Sequence, residues 1–111
     1  MTVSISAVTM NSADPARTAA FWAAALDGTV ADGGNGFVHV RGAGVLLVVQ
    51  PDARRQVPAT TDVHLDLHAT DAAATVARLV ALGATPVADR SDSHRSWTVL
   101  RDPDGRELCV G

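Results

Sequence analysis

Apolar and polar residues alternate strictly from residue 63: Val63, Leu65 and Leu67 on one strand face, His64, Asp66 and His68 on the other. Thr70 or Asp71 then caps a helix with Val76, Leu79 and Val80 as its apolar stripe and Gly83 as its left-handed stop. Strands follow at 86–89, 96–101 and 106–110, the last two joined by Asp102-Pro103-Asp104-Gly105, which has Pro and Gly where a tight turn uses them. The first half has the same order. A strand at 3–10 leads through Asn11-Ser12-Ala13 to Asp14-Pro15, a cap followed by the imino acid suited to a first helical position. Phe21 and Ala25, with Trp22 and Leu26, lie at i,i+4 spacing, so the aromatic pair reads as core. Thr29 opens a short strand at 29–32. The turn Gly33-Gly34-Asn35-Gly36 precedes a strand and not a helix, so it is no phosphate cradle. Strands at 37–41 and 45–50 close a hairpin around Gly42-Ala43-Gly44, and 51–60, with Pro51, Pro58 and Arg54-Arg55, reads as a linker. The expectation is one domain, 1–111, made of modules 1–50 and 61–111.

Laid over each other, the halves form an internal repeat. Asp14 falls on Asp71, Ala7 on His64, the 42–44 turn on 102–105, and Leu47 on Cys109 to within one residue. HLDL seven residues before a helix-capping Asp, and the closing W-x-V-L-x-D-P-D-G-x-E-x-C-V, resemble the vicinal-oxygen-chelate superfamily. Within it the chain is similar to small glyoxalase/bleomycin-resistance-like proteins, over nearly its whole length. The resemblance implies an α+β fold: two βαβββ modules in a cupped, mixed eight-stranded sheet with helices outside. It also implies a homodimer. The superfamily hosts lyases, epimerases, dioxygenases and non-catalytic drug-binding proteins, so the fold does not name a substrate.

Composition narrows the field. A net charge of −3 and a pI near 5.7 give no electrostatic case for nucleic acid or an anionic membrane surface. With 47% hydrophobic residues and mean hydropathy of +0.14, the chain reads as a soluble globular domain. All nine basic residues are Arg, which reads as a coding bias and not as chemistry. One Cys excludes an internal disulfide, and MTVSISAVTM lacks the basic start of a signal peptide, so a cytoplasmic location is expected.

In metal-dependent members, the resemblance implies, the first and last strands of each half supply one ligand each. Here those positions hold Ala7, Leu47, His64 and Cys109, of which Ala7 and Leu47 have no donor atom. No cofactor is therefore expected; the alternative is a divalent metal on His64 and Cys109, with Glu107 helping. Glu107 and Cys109 share a strand face. If Gly105 closes its turn as a left-handed bulge, Trp97, Val99 and Arg101 join that face; without the bulge Ser96, Thr98 and Leu100 do. In the first half Phe37, His39 and Arg41 share a face, and assigning Leu47 to the cup gives it an apolar wall there.

Each residue also has a plain structural role. His64 suits an interior histidine bonded to Asp66, Glu107 or a carbonyl, and Cys109 a small buried hydrophobe. His68 and His94 suit the surface. Glu107, on a half-buried face, needs a partner, and His64 is the nearest one. The expected ligand-binding set is His64, Trp97, Val99, Glu107, Cys109 and Leu47, with His64 and Glu107 as catalytic candidates. Three functions compete: a metal-free protein sequestering a small hydrophobic or aromatic molecule, a lyase, isomerase or dioxygenase using metal or a His64–Glu107 pair, and an accessory domain with a vestigial cup.

Overall fold

Asp14 and Asp71 start the two helices around which the halves are built. Residues 5–53 and 64–111 are described in the structure, a computed structural model. The chain divides into two units, Met1–Gln56 and Val57–Gly111; the expected linker residues 54–60, and Val63, lie outside the described residues.

The first unit runs β1 (Val8–Ser12), α1 (Pro15–Ala25), β2 (Thr29–Gly34), β3 (Phe37–Arg41) and β4 (Leu47–Pro51). Its sheet has the order β1-β4-β3-β2, with β1 parallel to β4 and the other pairs antiparallel. The Asp14 carboxylate accepts from the Arg17 amide at 3.2 Å, and Pro15 fills the first turn, where its missing N–H costs nothing. The buried face of α1 carries Phe21 and Trp22, edge to face with centroids 5.3 Å apart. Trp22 is fully buried. Strand β1 begins later than the pattern predicted and extends through Ser12. Its hydroxyl meets Thr18 Oγ1 at 2.8 Å, and its carbonyl accepts from Asp52 N at 2.8 Å, so Asn11-Ser12 is ladder and not lead-in.

The second unit repeats the order as β5 (Leu65–Leu67), α2 (Ala72–Leu82), β6 (Thr85–Ser91), β7 (Ser96–Arg101) and β8 (Glu107–Val110). Its sheet is β5-β8-β7-β6, again with the outer first strand parallel to the last. The eight expected strands thus form two four-stranded mixed sheets. Asp71 accepts from Ala74 N at 3.0 Å, and Gly83 takes φ 120°, the left-handed stop. The expected stripe of α2 is narrower than predicted. Leu79 is fully buried and Val76 half-buried, but Val80 is 39% exposed. Leu79, Leu100, Leu108 and Val110 form the core of this unit. Among the described residues no helix is long and apolar enough to cross a membrane.

Candidate functional site

The turn between β7 and β8 decides which side chains share a face. Gly105 sits at φ 81° and its amide donates to the Asp102 carbonyl at 2.9 Å, while Asp102 N donates to the Arg106 carbonyl at 2.8 Å. Asp102 is buried, and its carboxylate accepts from the Asp104 amide at 3.0 Å, the Arg106 amide at 2.8 Å and the Arg106 guanidinium. The bulge this builds pairs Arg101 with Glu107, Val99 with Cys109 and Leu100 with Leu108. Trp97, Val99 and Arg101 therefore share the face of Glu107 and Cys109, while Leu100, Leu108 and Val110 fill the core.

On strand β5 the parallel register sets Asp66 beside Cys109. His64, two residues earlier on the same polar face, brings Nε2 to 3.2 Å from Asp66 Oδ1; the two side chains are 42% and 66% exposed. The ligand atoms of His64, Asp66 and Cys109 all lie within 4.8 Å of one another. Burial pushes the Cys109 thiol above its ordinary pKa, and the Asp66 and Glu107 carboxylates push it further; the thiol also donates to Asp66. It is a protonated thiol at neutral pH.

The expected His64–Glu107 pairing does not form. Antiparallel register puts Arg101 directly across from Glu107, and their charges meet at 4.0 Å, while His64 takes the nearer carboxylate of Asp66. Leu47 also needs correction. It is in register with Val8 and Val40, on the face where Ser12 bonds Thr18 of α1, and is 1% exposed. Leu47 is core, equivalent to Leu108, and Val48 is the residue equivalent to Cys109. The open face of the first sheet consequently carries His39 and Val48, in register with each other, beside Thr9, and is more polar than the expected apolar wall.

A cavity of about 360 Å³ opens on the second unit, lined by Asp66, Leu67, His68, Arg95, Trp97, Cys109 and Gly111. Arg95, which the pattern did not single out, holds its guanidinium 5.1 Å from the centroid of the Trp97 ring. The β6–β7 turn places it. Asp92 Oδ1 accepts from the His94 amide at 2.8 Å and the Arg95 amide at 2.9 Å, and these bonds hold the Asp92 carboxyl below its usual range. The available signal was Arg95 two residues before Trp97 at a strand start, hence on its face. His94 is exposed, as expected, and His68 is an exposed residue at the cavity wall.

The family model for the glyoxalase-like domain matches residues 7–111. No functionally curated protein matches the chain. Among solved structures, the fosfomycin resistance protein FosX from Listeria monocytogenes superposes with a TM-score of 0.79 at 18% identity, covering 100% of this chain and 95% of its own. A glyoxalase/bleomycin resistance protein/dioxygenase family enzyme from Burkholderia phytofirmans PsJN gives 0.79 at 15% identity, over 95% and 94%. A FosX variant from Listeria monocytogenes complexed with Mn(II) and 1S,2S-dihydroxypropylphosphonic acid gives 0.77 at 16% identity, over 99% and 90%. The α+β fold of βαβββ modules is theirs, and the chain belongs to the glyoxalase-like domain family.

Proposed function

We propose that the protein binds a small hydrophobic or aromatic molecule on the open face of its second sheet, in the sequestering manner of a resistance protein. The observation that carries this reading is Trp97, half-exposed at a cavity of about 360 Å³ with Cys109 in its floor and Arg95 over its ring. Val99 extends the apolar wall, and the Arg101–Glu107 pair borders it. Burying apolar surface is worth roughly 25 cal/mol per Å², enough for micromolar affinity for an aromatic molecule of moderate size. His64 and Asp66 supply the polar contacts that orient it.

The Mn(II) held by the FosX variant has a poor counterpart here. Of the four positions, Ala7 and Val48 offer no donor, and Cys109 puts a thiol where a hard ion prefers a carboxylate. The binding reading therefore needs no Mn(II). A second reading has its own observation: His64 paired with Asp66 at 3.2 Å is a base with an orienting carboxylate, the arrangement a proton-transferring lyase or isomerase uses.

The two tryptophans separate the readings. Trp22 is fully buried and Trp97 is not, so quenching by a panel of aromatic compounds reports on Trp97. Saturable quenching at micromolar concentration, unaffected by EDTA and lost in Trp97→Phe, supports sequestration. Turnover of a bound compound that disappears in His64→Ala and Asp66→Asn would transfer the assignment to the enzyme. The proposal extends to a homodimer, whose exposed apolar candidates in this unit are Val80, Leu82 and Val87. Light scattering at micromolar concentration tests it, and a monomer removes it.

A further inference from the structure

The cation over Trp97 gives the cavity of the second unit a charge preference. Resting on the binding proposed above, we infer that the molecule held there is an aromatic acid, with its ring against Trp97 and its carboxylate on the guanidinium of Arg95.

Arg95 and Asp66 bring opposite charges to the cavity wall. Asp66 is already engaged: its Oδ1 lies 3.2 Å from His64 Nε2, and it accepts from the Cys109 thiol. Arg95 forms no ion pair with a described carboxylate. Asp92, the acid nearest to it along the chain, turns Oδ1 to the amides of His94 and Arg95 at 2.8 and 2.9 Å and meets the guanidinium only through space. What holds the guanidinium is the indole, with Cζ 5.1 Å from the ring centroid. That contact is made through the charge, so most of the five N–H donors of the group remain for a ligand, and a carboxylate accepts two of them in parallel. An arginine steadied on an aromatic ring also gives up less side-chain freedom when it binds.

Trp97 is half-exposed, and with Leu67 and the protonated thiol of Cys109 it makes the apolar part of the wall. The cavity volume of about 360 Å³ stands near the lower end of the range for small-molecule sites, roughly 300–1,000 Å³, which suits one or two rings and not a long chain. The protein as a whole carries −3, so attraction for an anion is local to Arg95 and not a property of the surface. Asp66, on the same wall, repels a carboxylate from its own end and leaves the Arg95 end as its seat.

Three probes of nearly one shape test the charge: naphthoate, naphthamide and naphthylmethylammonium, each titrated calorimetrically into the full chain at neutral pH and low ionic strength. Expected is naphthoate binding at least about tenfold tighter than the amide, the advantage of a charge-assisted pair over a neutral hydrogen bond, with the ammonium weakest. Added salt narrows the gap between acid and amide. Arg95→Gln removes the gap, and Arg95→Lys, which keeps the charge and loses the planar fork, restores part of it. Arg95 is exposed in a turn, so neither substitution touches the core, and an unchanged melting temperature of the free protein confirms it. Equal affinity for acid and amide, or an acid advantage that survives Arg95→Gln, overturns the assignment and leaves the cavity a binding site. Tightest binding of the ammonium overturns it as well and makes Asp66 the recognising charge. If none of the three binds at millimolar concentration or quenches Trp97, the binding reading falls and the acid class with it.

Discussion

The two units share a register but not a chemistry. Val8 and Leu65 occupy the same place in their sheets, as do Leu47 and Leu108, so Ala7, Thr9 and Val48 of the first unit stand where His64, Asp66 and Cys109 stand in the second. Their helices differ in the opposite sense. α1 buries Thr18, Ala19, Phe21, Trp22, Ala23 and Ala25, while α2 buries Leu79 alone. One unit has the deeper core beneath its helix, and the other has the reactive face. Nothing in the fold requires the donors, since the first unit builds the same sheet without them.

The largest expected effect tests the difference in cores. Trp22→Ala should cost about 3–5 kcal/mol, as for removal of a fully buried indole, and Leu79→Ala about 2 kcal/mol, the low end for leucine under a thinly packed helix. Urea unfolding measures both, and equal costs would break the comparison. Next comes the turn before the last strand. Asp102→Ala leaves Arg106, 12% exposed, without its closest carboxylate and should cost about 3 kcal/mol. In the first unit the turn contains Gly44 at φ 90° in open space, so Gly44→Ala should cost only about 1–2 kcal/mol, from backbone strain.

A sharper test gives the second unit the residues of the first. His64→Ala, Asp66→Thr and Cys109→Val together should shift stability by no more than about 1.5 kcal/mol, because two sites are exposed and the third nearly conserves volume. A collapse in stability would show that the donors are structural after all. The smallest effect is expected at Asp92, whose pKa is depressed by the amides of His94 and Arg95. A depressed carboxyl stabilises the fold above its unfolded pKa of about 3.9 and loses that contribution as pH falls toward its folded value. Below about pH 4, then, the acid-side decline in melting temperature should be shallower in Asp92→Asn than in the wild-type protein.

Much of this was legible in the chain because the signals were local. Asp14-Pro15 and Asp71 marked the helix starts, the alternation in HLDL put His64 and Asp66 on one face, and Pro103 with Gly105 announced the bulge that turns Trp97 toward Cys109. What failed were pairings set by register. Val40 faces Leu47 seven positions on, whereas Leu100 faces Leu108 eight positions on, so the second turn holds one more residue. A slip of one reverses the face of every side chain, which is why the pattern points to Leu47 as a cup residue in place of Val48. The partner of Glu107 failed similarly: Arg101 lies across a ladder whose register only the folded turn determines.

The β6–β7 hairpin has a consequence for how such a protein diverges. Thr29 faces Arg41 twelve positions later in the first unit, but Thr85 faces Arg101 sixteen positions later in the second. Two of the four extra residues lengthen the strands, and two lie at the tip, where Ser91 and Ser96 bracket a four-residue turn and Gly34 and Phe37 bracket only Asn35-Gly36. Arg95 belongs to that longer tip. Exposed tips gain and lose residues readily because no ladder bond depends on them. A duplicated ancestor could thus have acquired the cation over Trp97 by lengthening one tip, leaving both cores untouched, and further changes in selectivity have the same cheap address.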